Sequence, residues 1–418
     1  MTAGQQTVAS AQAAPDVLVQ LLTPAARDNP YPIYGWLRDN APVYRSTFGP
    51  HLISRFSGCE YVLKNAELFP GAPEDTFTQI FPQAAQHQAF QILITSLVGS
   101  NPPKHTRLRH LVGRDFTMRR VEDMRPAIEQ LADRLLDEVA ERLSAGEVVD
   151  LHSSLSLAMP LHVIAELVGV PEEDRRELAV NVPQMMNVVD PTATPEAVQA
   201  ADEAFARLGA YFDGLITLRR AQPRDDLASA LVSAHDNDSD RLTDEELRTL
   251  LFTLWSAGFE TTATAIDSAV VTLLTHPEQG HWLKDPEGAK AFVEEALRFD
   301  PPVQVAPGIR FAAKDVEVDG CQVPAGAQVR LLIGAALRDP RAYPDPDQFD
   351  PSRSGPQPLS FGAGIHYCLG AGLSRLEMAI LLPKLHERLP GLRLAGEPAR
   401  RRSMPLRDFD ALTVTLQG

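Results

Sequence analysis

Cysteine is scarce in this sequence, and long apolar runs are missing from it. The chain has three cysteines, Cys59, Cys321 and Cys368, in 418 residues. They are too few for a disulfide scaffold and lack the CxxC spacing of a zinc site, so we expect a reducing, cytoplasmic location. No run reaches the roughly 18 apolar residues that a membrane-spanning helix requires. We therefore expect no membrane-spanning segment.

Positive charge is also in deficit. Lys and Arg number 39 against 55 Asp and Glu, which gives a formal net charge of −16. A protein of this charge is not expected to bind nucleic acid or anionic lipid as a whole. The N-terminus lacks the basic and apolar regions of a secretory signal, and its composition over residues 1–15 predicts a mobile tail. Because no repeat or linker follows, residues 16–418 are predicted to form a single domain.

Helical periodicity dominates the rest of the sequence. Apolar residues recur about every fourth position over 121–143, and a capping box of Thr243 and Glu246 begins a second helix that runs to His276. This second helix of about 32 residues would be about 48 Å long and would cross the interior. Further helices are predicted over 57–67, 103–117, 154–169, 195–221, 287–299 and 369–389.

Strand signals are few and short. Residues 43–46 and 51–54 predict a hairpin, and three short runs between 316 and 333 predict another small sheet. Residues 339–358 are too rich in proline for regular structure, and we expect them to form an ordered meander on the protein body. The predicted fold class is therefore mainly α with small β-sheets.

Cys368 stands out from the other two cysteines because glycines surround it. The segment FGAGIHYCLGAGLSRLEMA, residues 361–379, places four glycines around this cysteine and a helix-forming run after it. A cysteine at a helix N-terminus is stabilised as a thiolate, which acts as a nucleophile or as a metal ligand. As a nucleophile it would use His366 as base, although Arg375 lies one residue too far for a CxxxxxR phosphatase loop. As a ligand it would bind haem iron axially.

The pattern Phe361-x-x-Gly364-x-His366-x-Cys368-x-Gly370 resembles the haem-binding loop of cytochromes P450. Two further motifs fit the same family. Glu295-Ala-Leu-Arg298 matches its ExxR pair, and Ala257-Gly-Phe-Glu-Thr261 matches the small-Gly-x-acid-Thr element of its long central helix. The resemblance spans nearly the whole chain, and it implies a haem held between the long central helix and the helix that follows the cysteine loop.

The resemblance also implies roles for individual residues. Cys368 would be the axial ligand of the iron of haem b, with Gly370 beside it, and Glu260 and Thr261 would relay protons to the oxygen. The haem propionates would be bound by His105, Arg109, Arg310 and His366. One position departs from the family, because Gln348 stands where an arginine that joins the ExxR pair is expected. The Glu295–Arg298 network would then lack a cation unless Arg353 compensates.

The implied function is that of a bacterial-type cytochrome P450 monooxygenase. It would insert one oxygen atom from O2 into an apolar small molecule, by hydroxylation or epoxidation, and a secondary metabolite such as a polyketide, terpene or macrolide is the expected substrate. Electrons from NAD(P)H would arrive through a separate ferredoxin and ferredoxin reductase. A basic docking face is predicted from Arg114, Arg119, Arg120, Arg125 and Arg375. A peroxide-dependent haem-thiolate enzyme and a non-catalytic haem sensor remain as alternatives.

The substrate pocket is predicted mainly in the stretch 71–98 and around 182–188. Its candidate lining residues are Phe77, Ile80, Phe81, Val98, Met185, Ala257, Phe259 and Val303.

Overall fold

The computed structural model describes residues 15–72, 87–185, 193–237, 242–401 and 405–416. Within these ranges the chain is mainly helical with small sheets, and the predicted fold class is confirmed. The predicted tail lies almost entirely outside the described residues, and the single domain over 16–418 stays a prediction. No helix of the described ranges has the length and apolarity needed to cross a bilayer.

Eighteen α-helices carry most of the described chain. In order they are α1 (Val17–Leu21), α2 (Pro24–Asp28), α3 (Tyr31–Asn40), α4 (Phe56–Lys64), α5 (Gln88–Thr95), α6 (Lys104–Val112), α7 (Met118–Asp123), α8 (Arg125–Ser144), α9 (Ala158–Val168), α10 (Glu172–Ala179), α11 (Val182–Met185), α12 (Pro195–Ala221), α13 (Leu227–Asn237), α14 (Asp244–Ala257), α15 (Glu260–Thr275), α16 (Pro286–Phe299), α17 (Ile333–Ala336) and α18 (Ala371–Arg388). Short π and 3-10 turns cover His152–Ser156, Pro277–Lys284, Leu359–Phe361 and Gly364–His366.

Eleven short strands form four small sheets in the described ranges. They are β1 (Val43–Arg45), β2 (His51–Ile53), β3 (Val149–Asp150), β4 (Arg310–Phe311), β5 (Val316–Val318), β6 (Cys321–Val323), β7 (Gln328–Leu331), β8 (Arg393–Leu394), β9 (Ala399–Arg400), β10 (Phe409–Ala411) and β11 (Thr413–Thr415). The largest sheet has the order β1-β2-β7-β4, and the others are β3-β11-β8, β9-β10 and β5-β6.

The predicted hairpin of β1 and β2 is confirmed, whereas the predicted sheet over 316–333 divides in two. Strands β5 and β6 pair only with each other, across a turn in which Asp319 and Gly320 have positive φ angles of 49° and 80°. Strand β7 instead runs parallel to β2 and antiparallel to β4. The prediction was wrong here because parallel pairing joins segments distant in sequence, which local alternation does not reveal.

The predicted helix from Thr243 to His276 is present as two helices, α14 and α15, with a break at Gly258 and Phe259. The capping box at its start is formed as predicted, and His276 caps its end. Gly258 lies against α9, because a Cβ atom there would come within 2.5 Å of Ile164 Cγ1. The break therefore coincides with a close approach of the long helix to α9.

A core built on α8, α15, α16 and α18 supports the region around the cysteine loop. Helix α18 packs against α8, α15 and α16, and all four contribute to one cluster of buried apolar residues. The meander over 339–358 has no helix or strand, as predicted. It is anchored by Tyr343 and by Phe349, whose ring meets Phe292 and Phe299 edge-on.

A comparison of Gly258, at the break, with Gly214, within α12, tests the close approach of the long helix to α9. Gly214 lies within α12 with open space around it, so Gly214→Ala should stabilise the protein by about 0.5–1 kcal/mol through helix propensity. Gly258→Ala should instead destabilise it by about 1–3 kcal/mol, because the new methyl group overlaps Ile164. Urea unfolding of the two variants measures both changes, and equal effects would contradict the close approach at Gly258.

Candidate active site

Two glycines shape the loop that presents Cys368. Gly362 and Gly364 have φ angles of 70° and 68°, which favour glycine, and a Cβ atom on Gly364 would overlap the carbonyl oxygen of Leu63. The Cys368 N–H donates to the Phe361 carbonyl at 2.9 Å, which closes the loop just before α18 begins. The loop thus holds the cysteine at the N-terminal end of a long buried helix, as the glycine pattern indicated.

Cys368 differs from the other cysteines in its surroundings. The Cys368 side chain is accessible to solvent, although much protein surrounds it. Cys59 is instead fully buried and donates to the Ile53 carbonyl. Burial raises the pKa of the Cys368 thiol, while amides at the start of α18 and the guanidinium of Arg109 lower it. An accessible sulfur beside helix amides and a cation is suited to bind a metal as thiolate.

The structure brings together the four residues predicted to bind the propionates. The rings of His105 and His366 lie 4.2 Å apart, and Arg109 Nη2 donates to the Tyr367 carbonyl at 2.6 Å. Arg310 influences the pKa of both histidines and is itself desolvated with no carboxylate against it among the described residues. These side chains therefore form one cluster beside the cysteine loop.

The electrostatics of this cluster require an anion. Burial and the neighbouring cations lower the pKa of His366 to about 3 and also lower that of His105, so both rings are neutral at pH 7. His105 Nε2 is buried and has no hydrogen-bond partner in the described chain. A cluster of donors with no carboxylate partner among the described residues fits the two carboxylates of a haem. A Cβ atom at Gly370, beside Cys368, would meet no atom within 4 Å. The four donor residues beside the cysteine loop thus fit a haem.

Glu260 and Thr261 begin α15, directly after the break in the long helix. Thr261 Oγ1 donates to the Ala257 carbonyl at 3.3 Å, and Thr261 is only partly buried. Glu260 is 8 % exposed, and its Oε1 lies 3.4 Å from Arg401 Nη1. Burial raises the pKa of Glu260, Arg401 lowers it and Asp408 raises it. No pattern in the sequence indicated that Arg401, which follows β9, would contact Glu260.

The ExxR pair is buried and bidentate. Arg298 Nε and Nη2 each lie 2.7 Å from a Glu295 carboxylate oxygen, and Arg298 Nη1 donates to the Leu337 and Pro346 carbonyls. Arg353 supplies the additional cation, with its Nε 3.3 Å from Glu295 Oε1. Gln348 contributes only its backbone carbonyl. Arg353 therefore compensates for the arginine that is missing at position 348.

The substrate-pocket predictions have mixed outcomes. Phe259 and Met185 are packed in the apolar core, where Phe259 contacts Trp255 edge-on. Ala257 is exposed, and Val98 and Val303 are half-buried. Phe77, Ile80 and Phe81 lie outside the described residues. Packing in the apolar core thus accounts for Phe259 and Met185, and a pocket role for the remaining candidates stays a prediction.

The predicted basic face is largely neutralised by neighbouring acids. Arg120 pairs with Asp225, Arg125 with Glu122 and Glu129, and Arg375 with Glu294. Arg114 and Arg119 are exposed beside Met118, whose exposed fraction of 75 % is unusually high for an apolar side chain. Arg114 and Arg119 are thus the two predicted arginines for which the described residues show no ion pair, and the docking face stays a prediction.

This constellation matches a known family. The family described as cytochrome P450 matches residues 27–284 and 288–389. The chain belongs to the cytochrome P450 family. Cytochrome P450 BJ-3 of Bradyrhizobium diazoefficiens is 41 % identical over 426 residues, which cover 99 % of each chain. 6-Deoxyerythronolide B hydroxylase of Saccharopolyspora erythraea is 37 % identical over 403 residues, covering 93 % of this chain and 96 % of the relative.

Solved cytochrome P450 structures share the fold at similar identity. P450BioI, in complex with an acyl carrier protein ligated to hexadec-9Z-enoic acid, superimposes with a TM-score of 0.84 at 33 % identity, over 94 % of this chain and 99 % of that one. A myxobacterial cytochrome P450 in complex with myristic acid reaches 0.85 at 34 % identity, over 96 % and 99 % of the two chains. The protein is therefore a cytochrome P450 monooxygenase, and the family implies a haem cofactor and electrons from redox partners.

The ExxR network generates a stability prediction. Glu295→Ala strands two buried guanidinium groups and should destabilise the protein by about 3–5 kcal/mol, with loss of haem content. Glu287→Ala on the same helix removes an exposed pair with Lys290 and should cost at most about 1 kcal/mol. Chemical unfolding and the haem-to-protein ratio measure both effects. A Glu295→Ala protein with normal haem content and stability would refute the structural role of the pair.

Proposed function

We propose that the protein is a haem-thiolate monooxygenase that hydroxylates or epoxidises an apolar small molecule, with Cys368 as axial ligand of haem b. The observation that carries this proposal is the accessible Cys368 beside a cluster of propionate donors with no carboxylate partner among the described residues. When bound, the haem supplies oxygen activation, while the chain positions it, excludes water and moves protons. A secondary metabolite is the proposed substrate class, since relatives are named for hydroxylation of 6-deoxyerythronolide B and N-oxygenation of nocardicin C.

A short polar path supports the proposed proton-transfer role of Glu260 and Thr261. Arg401 contacts Asp408 at 3.0 Å and Asp410 at 3.4 Å, and the Asp410 side chain is 60 % exposed. The same guanidinium reaches Glu260, so charged groups run from the surface to the start of α15. The raised pKa of Glu260 favours reversible protonation nearer neutral pH, which suits a group that exchanges protons with the Thr261 hydroxyl.

The electron donor in this proposal is a ferredoxin, reduced by NAD(P)H through a ferredoxin reductase. Exposed Arg114 and Arg119 support docking of an acidic partner, and Met118 between them and Gly372 adds an apolar contact close to the cysteine loop. A cytoplasmic location is proposed together with these partners, because ferredoxins and their reductases are intracellular redox proteins.

Ligation by Cys368 is tested through the visible spectrum. Cys368→Ala should abolish the long-wavelength Soret band of the reduced carbon monoxide complex, because no thiolate then reaches the iron. Cys321→Ser, on the half-buried strand β6, is the matched control and should keep the band. Retention of the band in Cys368→Ala would overturn the proposed function.

Proton delivery is tested by the coupling of electron use to product. Thr261→Ala should keep haem and substrate binding but divert electrons to hydrogen peroxide, and product per electron should fall by about 10²-fold, the lower range for loss of a proton-transfer group. Thr275→Ala, at the exposed end of the same helix, should leave coupling unchanged. Product, peroxide and cofactor oxidation are measured together, and unchanged coupling in Thr261→Ala would contradict the assigned role.

A further inference from the structure

Arg330 is a positive charge for which the described residues provide no counter-charge. It lies in β7, where Val329 and Leu331 face the apolar core on one side of the sheet and Arg330 faces the other side. Its partner across the parallel pairing with β2 is Leu52. Continuing the β4–β7 register by one residue brings Ile309 opposite Arg330 on its other flank. The Arg330 side chain thus extends from the sheet between the positions of Leu52 and Ile309.

No acceptor satisfies this guanidinium within the part of the chain that the structure describes. Arg330 forms no ion pair or hydrogen bond there, and no charged neighbour influences its pKa. Desolvation alone lowers that pKa to about 10, which leaves the group charged at neutral pH. Five other interior arginines have carboxylate partners, namely Arg219, Arg298, Arg338, Arg400 and Arg407.

The Arg330 side chain is half-buried, and the surrounding protein desolvates its guanidinium without removing all access to solvent. Apolar residues continue from it along the sheet. Ile309 and Phe311 pack with Ala72 and Phe90, which belong to the stretch 71–98 predicted to line the substrate pocket. The isolated cation therefore lies at the edge of an apolar surface that leads toward the predicted substrate site.

The haem propionates do not account for Arg330. Arg310 pairs across the sheet with Val329, so its side chain lies on the face opposite that of Arg330. Arg310 and Arg109 shift the pKa values of His105 and His366, whereas Arg330 acts on neither histidine. The propionate donors and Arg330 are thus electrostatically separate.

We propose that Arg330 binds a carboxylate of the substrate, which is then an amphiphile with an apolar body and one terminal carboxylate. A guanidinium binds a carboxylate through two parallel hydrogen bonds, and a single cation balances a monoanion but not a phosphate dianion. The apolar body lies along Ile309 and Phe311, which pack against Ala72. This inference rests on the proposed monooxygenase function and names the substrate class for it.

The test compares carboxylates with their neutral esters on the holoenzyme. Decanoic, dodecanoic and tetradecanoic acids and their methyl esters are titrated while the haem spin-state shift is recorded. The wild type should bind the acids about 10- to 100-fold more tightly than the esters, a range typical of a desolvated charge pair. Arg330→Leu should remove this preference while ester affinity stays within about threefold, and Arg330→Lys should keep part of it. Arg45→Leu, an exposed arginine of β1 in the same sheet, should behave as wild type.

Thermal unfolding gives a second readout that does not depend on the spectrum. Without ligand, Arg330→Leu should melt at the same temperature or a few degrees higher, because it removes a desolvated charge that has no partner. Dodecanoate should raise the melting temperature of the wild type and not that of Arg330→Leu. Loss of haem from Arg330→Leu, failure of all three acids to bind, or equal binding of acids and esters by the wild type would overturn the proposal. An abnormal carbon monoxide spectrum of the wild type would instead refute the monooxygenase function itself.

Discussion

One buried carboxylate, that of Glu295, holds together the parts of the chain that carry the cysteine loop. It binds Arg298 on its own helix and Arg353 from the meander. Arg298 in turn donates to the backbone carbonyl of Leu337, just before that meander, and to that of Pro346 within it. The Ser360 hydroxyl then donates to the Leu297 carbonyl, which joins the same helix to the start of the loop. The position of Cys368 thus depends on a charge network that is too deeply buried to be replaced by solvent.

Positive charge near the cysteine loop creates a second constraint. Arg109 and Arg310 are desolvated and lie close to His105 and His366, whose pKa values are lowered by burial and by these cations, so both rings stay neutral. A dianionic macrocycle held by these residues would relieve this unfavourable arrangement and would add its binding free energy to the stability of the fold. Cofactor retention and folding are therefore linked, and a loss of donors here would lower both.

Local motifs allowed most of the helices and the candidate site to be predicted from sequence. The glycine pattern around Cys368, the ExxR spacing and the acid–Thr pair each lie within a few residues, so sequence spacing alone specifies them. Arg353 and Arg401 act on Glu295 and Glu260 across 58 and 141 residues, which no local pattern reports. The pairing of β7 with β2 was missed for the same reason, because it depends on tertiary packing.

The break at Gly258 and Phe259 has an electrostatic consequence for the centre of the molecule. The carbonyl end of α14 and the amide end of α15 meet there, so partial charges of opposite sign face each other within an otherwise apolar interior. A continuous helix would carry such charges only at its ends, far from the middle of the protein. The interrupted helix places a pair of its dipole ends beside Glu260 and Thr261, where they would lower the free-energy cost of holding a small polar molecule.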